Sequence, residues 1–273
     1  MTRSILITGC STGIGHHAAH ALRARGWTVF AACRRAEDCA RLTDEGLMSP
    51  LIDYEEPETI ITGLTDVLEA TGGSLDALFN NGAYAIPGLV EDLPTAALRQ
   101  TFEANFFGWH ELTRQVIPVM RAAGHGRIVQ NSSVLGFAAA PWRGAYNATK
   151  FALEGLTDTL RIEMRGTGID IILIEPGPIT SRFRANARRQ FEHWIDWTSS
   201  ARRADYEKVI DRLNQDSTAR FELPPDAVTK ALIHALDAPR PKARYRVTVP
   251  TTLAMVTKRL LPTWLMDKIV SNS

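Results

Sequence analysis

The sequence has almost no net charge, few cysteines and no long apolar run, and each shortage excludes a class of protein. Its 273 residues hold 31 basic and 30 acidic side chains, a formal net charge of +1, whereas a protein held to nucleic acid by bulk charge carries a clear basic excess. The three cysteines, Cys10, Cys33 and Cys39, form no C-x-x-C pair. This argues against a disulfide framework or a zinc knuckle and favours a reducing compartment.

No run of about 18 apolar residues is present, so we expect no membrane-spanning helix. The apolar run near the N-terminus is too short for a signal peptide, so we expect a cytoplasmic protein. A composition of 45% hydrophobic and 22% charged residues is typical of a globular chain with enough apolar material for a core. Together with the balanced charge, these features predict no nucleic-acid partner.

Short apolar runs alternate with helix-length segments along most of the chain. The predicted strands are Ser4–Thr8, Trp27–Cys33, Pro50–Asp53, Leu75–Asn80, Arg127–Ser132, Ile169–Ile174 and Tyr245–Val249. The predicted helices include Gly15–Arg25, Pro57–Ala70, Pro94–Ala122 and Ala145–Arg165. The strands are rich in β-branched residues and mostly do not alternate in polarity, as expected of strands covered on both faces. The pattern predicts an α/β fold in one domain over residues 1–273, a doubly wound Rossmann-type parallel sheet of about seven strands with helices on both faces.

Two segments interrupt this alternation. In residues 178–217, six arginines occur between positions 182 and 203 with two acids, a local charge of 6 − 2 = +4, and aromatic residues lie among them. Because ligands bind beyond the carboxyl ends of strands in open α/β sheets, we expect this segment to be a lid over an apolar substrate. A surface or subunit-contact helix pair is the alternative. The tail, residues 251–273, is apolar with three basic residues, so it lies on a membrane surface or packs on the body or a partner subunit.

A glycine-rich turn from Thr8 to Gly15 follows the first predicted strand and leads into a helix. Glycines at positions 9, 13 and 15 permit a tight turn and let backbone N–H groups approach a pyrophosphate at a helix N-terminus. The turn is not a Walker A loop, and its spacing differs from G-x-G-x-x-G. A tight strand–helix connection is the alternative, but the place of the turn after the first strand favours a dinucleotide site.

The end of the second strand indicates which dinucleotide binds. An acid there would bond the ribose 2′-hydroxyl of NAD, whereas arginine suits the 2′-phosphate of NADP. The sequence has Arg34 and Arg35 at this point and no acid before Glu37, and a guanidinium grips a phosphate through paired hydrogen bonds. We therefore predict NADP(H) in preference to NAD(H). The alternative is that two loop arginines are simply solvated.

Tyr146 and Lys150 are four residues apart at a predicted helix start, which puts both on one face. A free tyrosine has a pKa of about 10, and a nearby ammonium favours the phenolate. The pair is therefore a candidate acid–base group, although this spacing is common on helices without function. Ser133 stands at a strand end, where its hydroxyl can hold a substrate oxygen. Asn105 lies inside a predicted helix, where a buried amide needs a structural or catalytic partner.

Two histidines near the glycine turn have the spacing of a metal-binding pair. They are His16 and His20, and no acid or third ligand accompanies them at a suitable spacing in the sequence. His110 and Glu111 do not continue to a second histidine, so the metalloprotease helix motif is absent. We therefore interpret His16 and His20 as helix-surface residues and predict no metal site.

Taken together, the motifs resemble the short-chain dehydrogenase/reductase family from Ile5 to about Thr180. The family's T-G-x-x-x-G-x-G turn matches Thr8–Gly15. Its strand-end N-N-A-G appears here as Asn80–Ala83 with the last two residues swapped, which is similar to the subgroup of 17β-hydroxysteroid, retinol and long-chain aldehyde enzymes. The family's segment that closes over the nicotinamide matches Pro176–Thr180. Its catalytic residues fall on Asn105, Ser133, Tyr146 and Lys150.

The resemblance implies hydride transfer between the nicotinamide C4 and a substrate carbonyl carbon, with Tyr146 donating a proton to the oxygen and oxidation running in reverse. It implies that Ser133 orients that oxygen and that Lys150 holds the ribose and lowers the Tyr146 pKa. Asn105 would position a water, and Asp53 would meet the adenine amino group. The predicted cofactor residues are Gly9, Ser11, Gly13, Ile14, Gly15, Arg34, Arg35, Asp53, Asn81, Gly82, Tyr146, Lys150, Pro176, Gly177, Ile179 and Thr180. The predicted substrate residues are Ser133, Phe137, Trp142 and Tyr146.

We therefore expect an NADP(H)-dependent oxidoreductase that interconverts a carbonyl and an alcohol on an apolar steroid, retinoid, or aliphatic aldehyde or ketone. The resemblance also implies a homodimer or homotetramer. Two alternatives stay open. One is an NAD-dependent alcohol or hydroxysteroid dehydrogenase of the same family, and the other is a non-catalytic nucleotide-binding sensor or scaffold. The complete set of Asn, Ser, Tyr and Lys favours an enzyme.

Overall fold

Six short strands form one parallel sheet in the computed structural model, which describes residues 2–214 and 221–271. The strands are β1 (Ser4–Ile7), β2 (Thr28–Ala31), β3 (Ala77–Asn80), β4 (Gly126–Asn131), β5 (Ile169–Glu175) and β6 (Arg244–Arg246). Their order is β2-β1-β3-β4-β5-β6, and every neighbouring pair is parallel. The last residues of the predicted lid, 215–217, and of the tail, 272–273, lie outside the described residues.

Helices cover the sheet on both faces. They are α1 (Gly13–Ala24), α2 (Ala36–Asp44), α3 (Pro57–Thr71), α4 (Thr95–Phe102), α5 (Gly108–Ala123), α6 (Gly144–Glu163), α7 (Phe183–Trp194), α8 (Arg203–Asn214), α9 (Asp226–Asp237), α10 (Val249–Leu260) and α11 (Thr263–Ser271). Successive strand side chains point to opposite faces, so Ile5 and Ile7 pack in the core with α1 and α9, whereas Leu6 packs with α3 and α5. The predicted α/β fold is confirmed.

The sheet has six described strands where about seven were predicted, because Pro50–Asp53 forms no regular strand. This segment follows β2 through isolated bridges only, Phe30 to Met48 and Cys33 to Leu51. A proline has no N–H to donate to a ladder, which explains why pairing breaks at Pro50. The last strand also differs from its predicted range: β6 ends at Arg246, and the chain has entered α10 by Val249.

The long helix predicted over Pro94–Ala122 is divided. A π-helical turn, Glu103–Phe107, separates α4 from α5. Such turns widen the helix locally and occur frequently at functional sites. Because α4, the turn and α5 follow one another without a loop, the apolar periodicity of the sequence does not reveal the break.

The two irregular segments of the sequence are helical. The predicted lid contains α7 and α8, and the tail contains α10 and α11. Among the described residues, no helix has both the length and the apolar character needed to cross a bilayer. The order of the strands reverses at β1, because β2 and β3 lie on its two sides. In doubly wound sheets, ligands bind at this kind of switch point, beyond the carboxyl ends of the strands.

Candidate active site

A cleft of about 1060 Å³ lies beyond the carboxyl ends of the strands. Its wall includes Ser133 and the predicted cofactor residues Gly9, Ser11, Gly13, Ile14, Arg34, Arg35, Asp53, Asn81, Gly82, Tyr146, Lys150, Pro176, Gly177 and Ile179. Five predicted site residues are not part of the described cleft wall, namely Gly15, Asn105, Phe137, Trp142 and Thr180. The fold thus brings most of the predicted site together at one edge of the sheet.

Glycines let two turns touch at the head of the cleft. Gly9 has a left-handed φ of +67°, and a Cβ on it would lie 2.5 Å from the Cα of Gly82. Gly15 sits behind the turn, where a Cβ would lie 2.5 Å from the carbonyl oxygen of Gly9. Both distances are far below carbon contact distances, so the packing requires glycine at positions 9 and 15. Gly15 therefore shapes the turn from behind the cleft wall.

The first turn of α1 begins at the cleft with N–H groups that no side chain caps. The N-cap residue, Thr12, makes no capping hydrogen bond with its side chain, and Gly13 and Ile14 line the cleft. Unsatisfied N–H groups and the helix dipole both favour an anion at a helix N-terminus. This part of the cleft therefore fits the pyrophosphate of a dinucleotide.

A buried hydrogen-bond network joins the ends of β1, β3 and β4 beneath the cleft. The Tyr54 hydroxyl lies 2.7 Å from Asn80 Oδ1 and 2.8 Å from Thr8 Oγ1. Thr8 Oγ1 also accepts from the Asn81 backbone N–H at 2.9 Å, and Asn131 Nδ2 donates to Asn81 Oδ1 at 2.8 Å. Sequence reasoning gave Tyr54 no role, because an aromatic residue after a strand has no signal that separates it from ordinary core.

Asn105 lies in the π-helical turn and is completely buried. Its Oδ1 accepts from the Tyr84 backbone N–H at 3.1 Å, and its Nδ2 donates to the Tyr84 carbonyl at 2.8 Å. Nδ2 also lies 3.4 Å from Thr149 Oγ1 in α6. The side chain therefore ties the segment after β3 to the helix that carries Tyr146 and Lys150.

Tyr146 and Lys150 are buried one turn apart on α6 at the cleft wall. Lys150 Nζ donates to the Asn131 carbonyl at 2.8 Å and lies 4.0 Å from the centre of the Trp109 ring. It lies 5.6 Å from the centre of the Tyr146 ring. The structure thus has both side chains on one face of α6, as the spacing predicts.

Burial dominates the ionisation of both side chains. It raises the pKa of Tyr146 well above the ordinary value, and the polar side chain of Ser133 opposes the rise. Burial also lowers the pKa of Lys150 to about 7, although the charge of Glu154 opposes this change. The protein side chains alone therefore do not lower the Tyr146 pKa as the spacing predicts, since desolvation penalises the charged form of each group.

Ser133 is half-buried at the end of β4, at the N-cap of a short 3-10 turn. Its Oγ accepts from the Leu135 backbone N–H at 3.1 Å. Ser133 and Tyr146 both line the cleft. Their two hydroxyls are therefore available to a ligand in the cleft.

Arg34 and Arg35 are exposed at the opposite part of the cleft. Arg35 Nη2 pairs with Asp38 at 2.8 Å, whereas Arg34 has no ion pair with another described residue. Asp53 also lines the cleft, and its Oδ1 accepts from the Glu55 backbone N–H at 3.1 Å. Arg34 is therefore the guanidinium that is available to a ligand phosphate.

The predicted lid contacts the site through its first helix. The ring of Phe183 packs edge-on against Tyr146, with centroids 5.4 Å apart. In α8, the Tyr206 hydroxyl accepts from the Leu89 backbone N–H at 3.0 Å and donates to Asp92 at 2.9 Å. These contacts fix both helices against the segments beside the cleft.

Most of the predicted positive charge of the lid is paired with acids. The four pairs are Arg184–Glu222, Arg188–Glu192, Arg202–Asp205 and Arg203–Glu207. Three of the four acids lie outside positions 182–203, so counting charge within that range overestimates the positive charge. Arg182, Arg184 and Arg189 line the cleft.

The two aromatic residues predicted to contact substrate are not part of the described cleft wall. Trp142 has a left-handed φ of 65°, and its ring packs on Tyr206 with centroids 4.9 Å apart. The backbone carbonyl of Phe137 accepts a hydrogen bond from Lys258 of α10. Phe183 is the aromatic side chain that lies in the cleft wall beside Tyr146.

The histidine pair near the glycine turn has an acid beside it. His16 Nε2 and His20 Nε2 each lie 2.7 Å from Glu45 Oε2. These contacts hold the pKa of Glu45 at about 2, against the opposing effect of its partial burial. The sequence did not suggest this partner, because Glu45 follows α2 and is 25 residues from His20 along the chain, with β2 between them.

A doubly wound sheet with a glycine turn at its switch point, and a buried tyrosine–lysine pair beside it, define an oxidoreductase of the Rossmann type. The chain belongs to the short-chain dehydrogenase family, because the family model described as short chain dehydrogenase matches residues 3–192. The resemblance drawn from the motifs is therefore confirmed.

Full-length relatives and a solved structure agree with this family. The chain is 42% identical to the uncharacterized oxidoreductase YbbO of Escherichia coli strain K12, covering 100% of this chain and 95% of the relative. It is 29% identical to an NADPH-dependent 3-dehydrocapnine reductase of Ornithobacterium rhinotracheale (98% and 95% covered) and 32% identical to retinol dehydrogenase 16 of Mus musculus (97% and 87% covered). A short-chain dehydrogenase structure from Streptomyces avermitilis superposes with a TM-score of 0.76 at 26% identity, covering 94% of this chain and 92% of that one.

Proposed function

We propose that this protein is an NADP(H)-dependent oxidoreductase that interconverts a carbonyl and an alcohol on an apolar substrate, in a single catalytic domain. The observation that carries the proposal is the buried Tyr146–Lys150 pair at the cleft wall, with Ser133 on the same wall. Membership of the short-chain dehydrogenase family and a relative named as an NADPH-dependent reductase support it.

The cofactor residues divide along the cleft. We place the pyrophosphate at the uncapped first turn of α1, with Gly9, Ser11, Gly13 and Ile14 around it. The adenosine end belongs near Arg34 and Asp53, and the nicotinamide end near residues 176–180. A bound nicotinamide supplies or takes the hydride, which is the harder part of the chemistry.

Tyr146 is the group we propose to give a proton to the substrate oxygen and to take it back in oxidation. A positioned acid of this kind contributes typically about 10²–10⁴-fold in rate. Ser133, which lines the same cleft, holds the same oxygen. Lys150, with a pKa held near 7 by burial, binds the ribose and moves a proton between Tyr146 and solvent.

Asn105 serves this site as a positioning residue. The hydrogen bonds that its side-chain amide makes with Tyr84 and Thr149 connect the segment after β3 with α6. Since both amide hydrogens are engaged by protein groups, the side chain holds α6 in place. The water-positioning role implied by the resemblance stays a prediction, which a structure with ordered waters would test.

The substitution Tyr146→Phe tests the mechanism. It removes the hydroxyl and keeps the ring against Phe183, so we expect NADPH binding to be unchanged and reduction to fall by at least about 100-fold. NADPH binding by fluorescence and turnover by NADPH absorbance measure the two effects separately. Tyr84→Phe, a second tyrosine of the cleft wall, is the matched control and should keep turnover. Near-normal turnover in Tyr146→Phe would refute the proposed acid.

The substitution Arg34→Asp tests the cofactor preference. A hydrogen bond to a charged group contributes roughly 1.5–3 kcal/mol, so losing the contact with the 2′-phosphate should lower the ratio of kcat/KM for NADPH over NADH by about tenfold or more. Arg99→Asp, an exposed arginine outside the cleft wall, is the control. An unchanged ratio in Arg34→Asp would refute the role of Arg34, and a wild-type ratio below one would favour the NAD-dependent alternative.

The substrate class we propose is a steroid, a retinoid, or an aliphatic aldehyde or ketone. Support comes from Phe183 and the lid helices beside Tyr146, and from a relative named as a retinol dehydrogenase. A screen of NADPH consumption over steroids, retinals and aldehydes of graded chain length checks it. If kcat/KM does not rise with the chain length or the apolar area of the substrate, the lid does not provide an apolar binding surface and the proposed class is wrong.

The tail exposes a stripe of apolar residues that suits contact with a membrane surface. Val249, Leu253 and Leu260 are 71%, 60% and 75% exposed and recur at helical spacing on α10, and Trp264 follows at 67%. We propose peripheral membrane contact through this stripe. Leu253→Glu should reduce co-sedimentation with anionic vesicles, and Ile61→Glu, an exposed apolar residue of α3, should not. Equal sedimentation of both variants would overturn the assignment.

We also propose a cytoplasmic homodimer or homotetramer. The three cysteines are buried and free, which suits a reducing compartment, and the bacterial relative supports the same setting. Sedimentation equilibrium of the purified chain would measure the assembly, and a monomer at micromolar concentration would contradict it.

A further inference from the structure

Two histidines and a glutamate converge at the edge of the cleft, apart from Tyr146 and Lys150. His16 and His20 are one turn apart on α1, and both direct Nε2 toward Glu45 Oε2. The three ligand atoms lie within 4.8 Å of one another. All three side chains are half-buried, so an ion can reach them from solvent while the protein screens part of the site.

We propose that His16, His20 and Glu45 bind a divalent transition-metal ion such as Zn²⁺ or Co²⁺. Two imidazoles and a carboxylate are a donor set that holds such ions in sites with open coordination positions. Mg²⁺ and Ca²⁺ prefer oxygen ligands, so the two imidazoles select against them. A tetrahedral ion with bonds of about 2.1 Å needs donor atoms roughly 3.4 Å apart. The present 2.7 Å contacts therefore have to open by less than an ångström, and each histidine has to give up the Nε2 proton that it shares with the carboxylate.

The surroundings hold Glu45 in place. Arg41 Nη1 donates to the second carboxylate oxygen, Oε1, at 2.6 Å, which leaves Oε2 directed at the histidines. Arg23 Nη1 donates to the Glu45 backbone carbonyl at 2.7 Å. Hydrogen bonds behind the ligands orient metal sites in this way. The opposite face of α1 is packed in the core, so the two histidines are carried on a fixed frame.

The site borders the part of the cleft where we place the cofactor phosphates. His16, Glu45 and Arg41 line the cleft together with Ser11. Arg41 Nη2 donates to the Ser11 carbonyl at 2.7 Å, so one guanidinium contacts both the glutamate and the glycine turn. A bound ion would therefore lie next to this end of the cleft.

Calorimetric titration of Zn²⁺ into metal-free, full-length protein without a histidine tag tests the proposal. We expect one Zn²⁺ per chain, removal by EDTA, and a visible absorption spectrum when Co²⁺ takes its place. Loss of a contact behind a metal ligand typically costs about 10–100-fold in affinity, so His20→Ala, which removes a ligand, should weaken binding at least tenfold. Glu45→Gln should do the same, because it removes the ligand charge and keeps the side-chain shape.

His110→Ala is the matched control, since His110 is exposed on α5 outside the cluster. It should bind Zn²⁺ as the wild type does. Circular dichroism of each variant without metal shows whether it is folded, so a weakened titration is compared only among folded chains. The proposal is overturned if the wild type takes up no Zn²⁺, or if His20→Ala and Glu45→Gln bind it as tightly as His110→Ala. Because no turnover is measured, the outcome is independent of the proposed activity.

Discussion

Lys150 should make the stability of the fold depend on pH in a way that one substitution removes. The ammonium is buried, and it contacts the Asn131 backbone carbonyl and the Trp109 ring. Burial lowers its pKa from the ordinary 10.5 to about 7. Lys150→Met keeps a long apolar stem in the same place and has no proton to exchange.

The magnitude follows from the two pKa values. Between pH 10.5 and about 7, the unfolded lysine carries a proton that the folded one mostly lacks. Because burial depresses the Lys150 pKa in the folded state, the full stability of the fold is present above pH 10.5, the unfolded pKa. The fold then loses stability as the pH falls from 10.5 through about 7, the folded pKa. Each pH unit in this window is worth about 1.4 kcal/mol. The wild type should therefore lose roughly 2–3 kcal/mol between about pH 9 and pH 7 through this group, and Lys150→Met should not.

Urea denaturation followed by tryptophan fluorescence, at one fixed protein concentration, measures the effect. The relevant quantity is the difference in unfolding free energy between wild type and variant at each pH, because other titrating groups cancel in it. Lys230→Met, which changes a lysine that is 75% exposed, should show the same difference at both pH values. If the Lys150→Met difference also changes by less than about 0.5 kcal/mol, then burial does not set the Lys150 pKa and the reasoning fails.

Two further substitutions test the packing of the site and of the sheet edge. Gly15→Ala should lower the unfolding free energy measured with urea by about 1–3 kcal/mol and weaken NADPH binding, since the added Cβ would lie 2.5 Å from the Gly9 carbonyl oxygen. The control is Gly155→Ala, whose Cβ would meet open space and which should not lower the unfolding free energy. Arg244→Met removes a partner of the buried Glu175 and should cost about 3–5 kcal/mol at pH 8. Burial raises the Glu175 pKa to about 7, so this carboxyl is mostly neutral near pH 5 and charged at pH 8, and the fold loses stability as pH rises through that value. The cost of Arg244→Met should therefore be smaller near pH 5, where a neutral Glu175 does not need a cationic partner. An equal cost at both pH values would count against this account.

The sequence predicts most of the fold because the strands are local apolar runs. β1, β4 and β5 are almost entirely buried, and the apolar residues of these segments indicate this burial without knowledge of the fold. Pro50–Asp53 looked like a strand for the same reason, but strand assignment depends on pairing, which its proline interrupts. The π-helical turn at Glu103–Phe107 was not predicted, because a single widened turn leaves the apolar period unchanged over its neighbours.

The candidate site was predictable where its residues are close in the chain or follow strand ends. Tyr146 and Lys150 share a helix face at a fixed spacing, and Ser133 follows β4 directly. Tyr54 and Glu45 could not be found in this way, since their contacts join segments that only the strand order brings together. Aromatic character predicted Trp142 as a substrate residue, but a left-handed backbone turns the chain there and the ring packs on Tyr206.

The paired arginines of the lid have a consequence for how molecules approach the cleft in salt. Four of the six arginines between positions 182 and 203 lie within 3.0 Å of a carboxylate oxygen. Opposite charges this close cancel at distances beyond the Debye length, about 8 Å at physiological ionic strength. These four arginines therefore project little long-range field, and any effect of ionic strength on the rate at which a charged molecule encounters the cleft should come from other arginines of the cleft wall, such as Arg34 and Arg182.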